Sequence, residues 1–312
     1  MPIFYYTMYG LTIQSDIEIP EALLTLPKKA DVTIQLGHIP NTFDVHRKNG
    51  VSFCATKNSL WFFIESVAAF YIEGGKTICF EPTELSNRTS VRAYLLGAAM
   101  GILLIQKNTL ALHGSAVKYK EKAIILCGSS GCGKSTLATE LLKHGCTLMA
   151  DDTVAVKHNS HSIVAYPSYP QQKLCQDAAL NYGYHLEDLS LVDDGRQKYA
   201  IHNLQAFCSE AVPIGCICEI VSDSIDEVII NELFGHEKLT TFINNIYQKN
   251  IYVKIGMKPE LFQELILIVN SIPIYRIHRP LNLQTTSQQA ILLLNTFNFH
   301  RINSKNTANL IS

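Results

Sequence analysis

The segment Cys127-Gly128-Ser129-Ser130-Gly131-Cys132-Gly133-Lys134-Ser135-Thr136 fits the pattern G-x-x-x-x-G-K-[ST]. The apolar run Ala123–Leu126 leads into it, and apolar residues at helical spacing follow between Ser135 and Leu142. This pattern predicts a strand, a glycine-rich loop and a helix in succession. That setting distinguishes a phosphate-binding P-loop from a glycine-rich turn that matches by chance.

The glycines of this loop allow its backbone to curl so that several N–H groups point at one anion. The helix that begins near Lys134 adds the positive end of its dipole at the same place. In such a loop the Lys134 ammonium reaches the β- and γ-phosphates, and the Ser135 hydroxyl coordinates Mg²⁺. The sequence therefore predicts a protein that binds a nucleoside triphosphate, taken to be ATP, together with Mg²⁺. The predicted nucleotide-binding residues are Gly128, Ser129, Ser130, Gly131, Cys132, Gly133, Lys134, Ser135 and Thr136.

Two adjacent carboxylates, Asp151 and Asp152, begin 17 residues after Lys134 in an apolar segment, 147–156, that reads as one continuous strand. Adjacent carboxylates repel each other and resist desolvation, so a cation is expected beside them, and Mg²⁺ on the nucleotide meets that need. One carboxylate can accept the proton of an attacking hydroxyl while the other supports the metal. The alternative is a pair of strand-end aspartates that cap a turn.

The segment Leu112-His113-Gly114-Ser115-Ala116, the P-loop and the Asp pair follow one another at close spacing. In this order they resemble the catalytic domain of the HPr kinase/phosphorylase family, closely over residues 109–157 and loosely over 158–290. The resemblance implies an α/β P-loop fold and an ATP- and Mg²⁺-dependent transfer of phosphate to a serine of a carrier protein. It also implies a set of roles: His113 near the transferred phosphoryl group, Lys134 on the phosphates, Asp151 as the base for the acceptor hydroxyl, and Asp152 in support with Ser135 at the metal. Without the resemblance, a lone histidine on a strand is more often a core or surface group.

One part of the family pattern is missing. The family's metal-binding glutamate lies in a Glu-Ile-Arg-Gly segment after the Asp pair, whereas the corresponding residues here read Tyr169-Pro170-Gln171-Gln172-Lys173-Leu174. The resemblance therefore does not fix the acceptor or the reverse, phosphorylase reaction.

A second resemblance is to the shorter HPr-kinase-like proteins of peptide-modification systems, notably kinases of lasso-peptide precursors. It is carried by Met8–Ile17, by Tyr169–Leu174 and by Gly195–Tyr199. It implies that the acceptor is the C-terminal serine of a precursor peptide. Lys173, Arg196 and Lys198 are then candidate cations for the phosphoryl group or the substrate carboxylate, and the alternative for each is a solvated loop charge.

The chain divides into a β-rich N-terminal domain, residues 1–87, an HPr-kinase-like P-loop catalytic domain, residues 88–302, and a polar tail, 303–312, that we expect to be mobile. The predicted elements include one strand over Met8–Ile13, a helix over Ser90–Gln106 with close packing at its interior glycines, a loop over Ala165–Lys173 and helices over Leu239–Lys249 and Lys258–Asn270.

Composition excludes several classes of protein. With 47 % hydrophobic and 17 % charged residues the chain can bury a core. A net charge of −1 gives no overall attraction to nucleic acid or to an anionic membrane. The apolar run 94–105 is too short to cross a bilayer and is typical of a buried helix. Cysteines without paired C-x-x-C motifs, and an N-terminus without a leader pattern, favour a cytoplasmic protein with reduced thiols.

The sequence predicts a serine kinase acting on a peptide or protein, and the family resemblance is compatible with a homo-oligomer. The alternatives are an HPr-type carrier protein serine kinase, a P-loop ATPase switch without a phosphoacceptor, a small-molecule kinase, and a recognition protein that has kept the fold without the chemistry.

Overall fold

The computed structural model describes residues 2–40, 52–56, 58–193 and 195–308, and it describes the side chains of all of these except 193 and 299–308. It is a mixed α/β structure with two eight-stranded sheets and one three-stranded sheet.

The N-terminal sheet has the strand order β3-β1-β2-β4-β8-β7-β6-β5. Its strands are β1 (Phe4–Met8), β2 (Leu11–Ser15), β3 (Leu23–Leu24), β4 (Val32–Leu36), β5 (Phe53–Ala55), β6 (Ser59–Ile64), β7 (Ala68–Glu73) and β8 (Thr77–Pro82). The prediction of one strand over Met8–Ile13 is wrong, because Tyr9 and Gly10 have φ of 56° and 72° and form a tight turn between β1 and β2. The Tyr9 N–H donates to the Pro167 carbonyl at 2.7 Å, which fastens this turn to the rest of the molecule.

The helix predicted over Ser90–Gln106 is present, as α1 (Arg88–Tyr94), a π-helical turn (Leu95–Ala99) and α2 (Met100–Gln106). By length and composition alone, Arg88–Gln106 is long and apolar enough to cross a membrane, a test that core helices also pass. Here 61 % of its most apolar window is buried inside the protein. The expected buried helix is therefore confirmed, although it is longer than the apolar run that predicted it.

The remaining strands form the second large sheet and a small sheet. They are β9 (Leu110–Tyr119), β10 (Lys122–Gly128), β11 (Thr147–Ala150), β12 (Thr153–His158), β13 (Ile163–Tyr166), β14 (Gln171–Cys175), β15 (Ser190–Asp193), β16 (Lys198–His202), β17 (Val212–Asp223), β18 (Ile229–Glu232) and β19 (Ile274–Pro280). The large sheet has the order β10-β9-β12-β13-β17-β19-β18, with β11 paired to β9 and β10 also paired to β17. The small sheet has the order β14-β16-β15.

Six more helices complete the described structure: α3 (Lys134–Lys143), α4 (Gln176–Asn181), α5 (Gly235–Asn244), α6 (Lys249–Ile255), α7 (Pro259–Ser271) and α8 (Thr286–Ala308). Single 3₁₀ turns lie at Leu186–Asp188 and Leu204–Ala206. The two large sheets share one core, since Phe70, Leu103 and Leu112 belong to the same buried cluster. Helix α2 contacts β7 on one side and β9 on the other, so it lies between the sheets.

Three other predictions need correction. The single strand over 147–156 is two strands, because Asp152 has φ of 72° and the chain turns between β11 and β12. The loop over 165–173 contains the end of β13 and the start of β14. The helix over 239–249 is two helices, α5 and α6. The helix α8 extends into the polar tail predicted at 303–312 as far as Ala308, and 309–312 lie outside the described residues. The mobility of the tail stays a prediction.

Candidate active site

The glycine-rich loop has the predicted setting, with β10 ending at Gly128 and α3 beginning at Lys134. Gly128, Gly131 and Gly133 have φ of 133°, 83° and 103°, values that residues other than glycine rarely adopt. A Cβ at Gly128 would also lie 2.5 Å from the Ile220 carbonyl oxygen. The curled backbone of this loop therefore depends on its glycines.

The Lys134 side chain folds back over the loop. It is 8 % exposed, and its Nζ donates to the carbonyl oxygens of Gly128 and Ser129, both at 2.9 Å. These bonds hold the ammonium at the mouth of the loop, where a phosphate chain would replace the two carbonyls as its partner.

Two arginines contact the same loop from distant parts of the chain. The Arg196 Nη1 donates to the Ser130 Oγ at 3.0 Å. The Arg279 Nε donates to the Cys132 carbonyl at 3.1 Å. Cationic groups therefore surround the loop on more than one side, as binding of a polyanion requires.

Asp151 is buried and fully engaged. It is 4 % exposed, and its Oδ1 accepts from the Ser115 hydroxyl at 2.6 Å and the Ser135 hydroxyl at 2.9 Å. Its Oδ2 accepts from the Lys173 backbone N–H at 2.8 Å. The carboxylate that contacts Ser135 is thus Asp151, whereas the sequence assigned that partnership to Asp152.

Asp152 is half-buried and faces the cleft. Its Oδ2 lies 3.3 Å from the Lys173 Nζ, and its Oδ1 lies 3.4 Å from the His113 Nδ1. Burial raises the pKa of this carboxyl, but the positive charge of Lys173 and the contact with His113 outweigh burial, so that the pKa lies below its usual value. The Asp152 carboxylate is therefore ionised at neutral pH, and it lines the cleft.

His113 lies on β9 beside Asp152. Its Nδ1 is 3.1 Å from the Asp152 carbonyl, and the Tyr247 ring lies 6.0 Å away. Burial lowers the pKa of the His113 imidazole, and this effect exceeds the opposing attraction of Asp152. The imidazole is therefore neutral at neutral pH.

Most of the predicted site residues converge on one cleft. The cleft is lined by His113, Ser130, Gly131, Gly133, Lys134, Ser135, Thr136, Asp151, Asp152, Lys173, Leu174, Cys175, Arg196 and Lys198. Gly128, Ser129 and Cys132 belong to the loop without lining the cleft. All three candidate cations are part of this lining.

Two residues that form hydrogen bonds in the site, Ser115 and Asn245, were not among the site residues predicted from the sequence. Ser115 binds Asp151, and its place two residues after His113 on β9 was a usable signal. The Asn245 Oδ1 accepts from the Gly128 N–H at 2.8 Å, across 117 residues of sequence. Nothing in the local sequence around Asn245 indicates that partner.

The arrangement suits Mg²⁺ carried by a nucleotide. Mg²⁺ is usually bound by one or two carboxylates together with substrate phosphates and water. The Ser135 hydroxyl and the Asp151 carboxylate, 2.9 Å apart beside the loop, supply such oxygens. Among the residues that the structure describes, no group of three or more His, Cys, Asp or Glu side chains could hold a metal ion by itself.

A glycine-cradled loop, an ammonium, a hydroxyl and two carboxylates around one cleft are the parts expected of a phosphate-binding site. In agreement, residues 105–175 match the family model for the HPr Serine kinase C-terminal domain. The matched range contains His113, the whole loop, both aspartates and Lys173.

Proteins similar to this chain carry the same family name. This chain is 39 % identical to the HPr kinase/phosphorylase of Alkaliphilus metalliredigens over 56 residues, which are 18 % of each chain. It is 31 % identical to the HPr kinase/phosphorylase of Mycoplasmopsis pulmonis over 83 residues, 26 % of this chain and 27 % of that one. The chain thus matches between about a fifth and about a quarter of the length of these relatives. A solved structure, the Hpr(Ser) kinase/phosphatase from Coxiella burnetii, aligns with this chain at 13 % sequence identity and a TM-score of 0.33. The alignment covers 62 % of this chain and 98 % of the other.

Proposed function

We propose that this protein is an ATP- and Mg²⁺-dependent kinase that transfers the γ-phosphate to a serine hydroxyl of a peptide or protein. One observation carries the proposal. The Asp152 carboxylate lies in the same cleft as the glycine-rich loop and Lys134, while its neighbour Asp151 is bonded to Ser135. A base and a phosphate site in one cleft are what transfer to a hydroxyl needs.

The loop residues would hold the phosphates of ATP through backbone N–H groups and Lys134. Ser135 and Asp151 would hold Mg²⁺, which when bound neutralises charge on the β- and γ-phosphate oxygens. Asp151 suits this place because it is buried and already bonded to Ser135.

The same contacts favour a division of labour that differs from the one the sequence implied. Asp151 accepts three hydrogen bonds from Ser115, Ser135 and Lys173, so it is poorly placed to receive a proton from a substrate. Asp152 faces the cleft, and we assign it the role of base. The acceptor hydroxyl passes its proton to Asp152 as its oxygen bonds to the γ-phosphorus, and the bond from that phosphorus to the bridging oxygen breaks to release ADP.

Cations near Asp152 would stabilise charge on the transferring group. Lys173, Arg196 and Lys198 line the cleft, and positive charge beyond one lysine and Mg²⁺ is a regular feature of phosphoryl transfer. The neutral His113 can donate a hydrogen bond from one ring nitrogen without adding charge.

For the acceptor we propose the C-terminal serine of a precursor peptide of the lasso type. Support comes from the resemblance at 169–174 and 195–199, two segments that supply Lys173, Arg196 and Lys198 to the cleft. The second candidate is an HPr-type carrier protein, which the names of the matched relatives favour. A cytoplasmic location goes with either acceptor and stays a prediction.

Measuring ADP release with and without acceptor tests the proposal against an ATPase switch. A kinase releases ADP in proportion to the phosphate that the acceptor gains. Equal ADP release in the presence and absence of every acceptor would instead mean that Asp152 activates water.

A further inference from the structure

A second opening adjoins the nucleotide cleft at Asp152. We call it the acceptor groove, and its walls are Ser66 and Val67 in the turn between β6 and β7, the helix from Ser90 to Ala98, Val192 with residues 195–198, and Tyr247. Asp152 lines both the groove and the nucleotide cleft, as do Lys173, Arg196 and Lys198. The base we assign therefore stands where the two spaces meet.

A glycine keeps the groove open next to this base. Two glycines lie inside the helix, and a Cβ at Gly101 would clash with the Tyr247 ring, which explains that glycine by close packing. Gly97 has no such neighbour. We built a Cβ on Gly97 and measured its distance to the other described residues, leaving out the two chain neighbours and the backbone of the helix. One atom then lies within 4 Å, the Asp152 Oδ2 at 3.8 Å. Gly97 thus leaves room beside Oδ2, the carboxylate oxygen that contacts Lys173.

The helix itself departs from regular geometry at this point. Gly97 is the central residue of the π-helical turn Leu95–Ala99. Glycine in a helix costs about 1 kcal/mol relative to alanine, and π-turns often mark functional sites. Space for a group that approaches Asp152 accounts for both the glycine and the turn at this place.

We infer that the acceptor groove receives an extended polypeptide segment and leads its serine to the junction with the nucleotide cleft, where the hydroxyl contacts Asp152 and faces the γ-phosphate. This inference rests on the proposed kinase activity. The acceptor hydroxyl must come within about 3 Å of the base. Asp152 is half-buried and recessed between the turn of the N-terminal sheet, the helix and residues 195–198, so a flat protein surface cannot bring a hydroxyl so close. A chain end or an unfolded loop can.

The N-terminal sheet then has a function in acceptor binding. Ser66 and Val67 line the groove, and the Val67 carbonyl accepts from the Thr83 N–H at 3.1 Å, which fixes the turn. The sheet would supply one side of the groove without touching the nucleotide.

The test compares Gly97→Leu with Gly97→Ala. The probe is a ten-residue unstructured peptide ending in serine, and intact HPr is the folded comparison. Transfer to HPr but not to the peptide would overturn the extended acceptor. An alanine methyl meets Asp152 at an ordinary contact distance and should leave transfer near the wild-type rate. A leucine side chain fills the space beside the base, and we expect transfer to fall on the order of 100-fold with unchanged Mg²⁺-ATP affinity.

A second pair of variants guards against a folding defect in the helix. Ser66→Trp narrows the groove from the N-terminal sheet, and Ser160→Trp changes an exposed serine that does not line the groove. Only Ser66→Trp should raise the KM for the acceptor. If the wild type transfers phosphate and both Gly97→Leu and Ser66→Trp are fully active, the acceptor does not bind in the groove. The kinase proposal would still stand. No transfer by the wild type to the peptide or to HPr, with ADP released regardless, would overturn the kinase proposal and the groove with it.

Discussion

Replacing Asp152 with asparagine should stop phosphoryl transfer while Mg²⁺-ATP still binds. Asparagine keeps the shape of the side chain but cannot take a proton. A positioned general base contributes roughly 100- to 10,000-fold, which corresponds to about 3–5 kcal/mol in the activation free energy. Asp152 is half-buried, and its partners Lys173 and His113 lie at 3.3 and 3.4 Å, so the loss of these contacts should change stability little.

Asp151→Asn is the matched control, and it should behave differently. Asp151 is 4 % exposed and accepts three hydrogen bonds, from Ser115, Ser135 and the Lys173 N–H. An asparagine offers one acceptor oxygen and no charge to these donors, which should cost about 1–3 kcal/mol of unfolding free energy. It also removes the carboxylate beside Ser135, so Mg²⁺-dependent ATP binding should weaken.

Isothermal titration with Mg²⁺-ATP, urea unfolding and the rate of phosphate transfer separate the two variants. If Asp151→Asn binds Mg²⁺-ATP normally and loses only transfer, while Asp152→Asn still transfers phosphate, the assignment of roles is reversed. The base is then Asp151, as the sequence first implied.

Three further predictions follow from the contacts. Lys134→Ala should abolish both ATP binding and transfer, because the ammonium held over the Gly128 and Ser129 carbonyls is lost, and retained phosphorylation would contradict the P-loop interpretation. Burial lowers the pKa of His113 from its ordinary 6.5, so the unfolded chain takes up a proton that the folded chain refuses as the pH falls below this value. The fold should therefore lose stability at acid pH through this group, and His113→Gln should show a shallower acid dependence in urea titrations between about pH 5 and 7. An identical slope in the variant would rule out the neutral, buried imidazole. Gly10→Ala should destabilise the fold by roughly 1–3 kcal/mol, because Gly10 has φ of 72° and its Cβ would lie 2.5 Å from the Tyr166 ring. Unchanged thermal unfolding would show that the turn between β1 and β2 does not pack against β13 as described.

The parts of the site that follow from local sequence were predictable. The strand, glycine-rich loop and helix around Gly128 and Lys134 are set by apolar periodicity and by glycines, both of which are visible within about twenty residues. The candidate cations Lys173, Arg196 and Lys198 all line the cleft, and they were selected because the segments that carry them resemble those of HPr-kinase-like proteins.

The different environments of the two aspartates were not predictable. The apolar pattern of segment 147–156 predicts one strand. No residue in it indicates that Asp152 adopts a positive φ, at which the chain turns between β11 and β12. Which carboxylate contacts Ser135 depends on that turn, since adjacent residues then no longer follow the alternation of a strand.

Contacts between distant segments were equally hidden. Asn245 holds Gly128 across 117 residues, and the Tyr9 turn of the N-terminal sheet bonds to Pro167. Local propensity and periodicity describe an element but not its tertiary neighbours. The acceptor groove arises from such neighbours, because its walls come from four separate segments.

Mass spectrometry of acceptors incubated with the protein, Mg²⁺ and ATP is the decisive test of phosphate transfer to a serine. The panel contains HPr and precursor peptides ending in serine, with Asp152→Asn and Lys134→Ala as controls. The proposed kinase activity predicts one phosphate on a serine of an acceptor with the wild type and none with either variant. ADP release with every acceptor unmodified would contradict it.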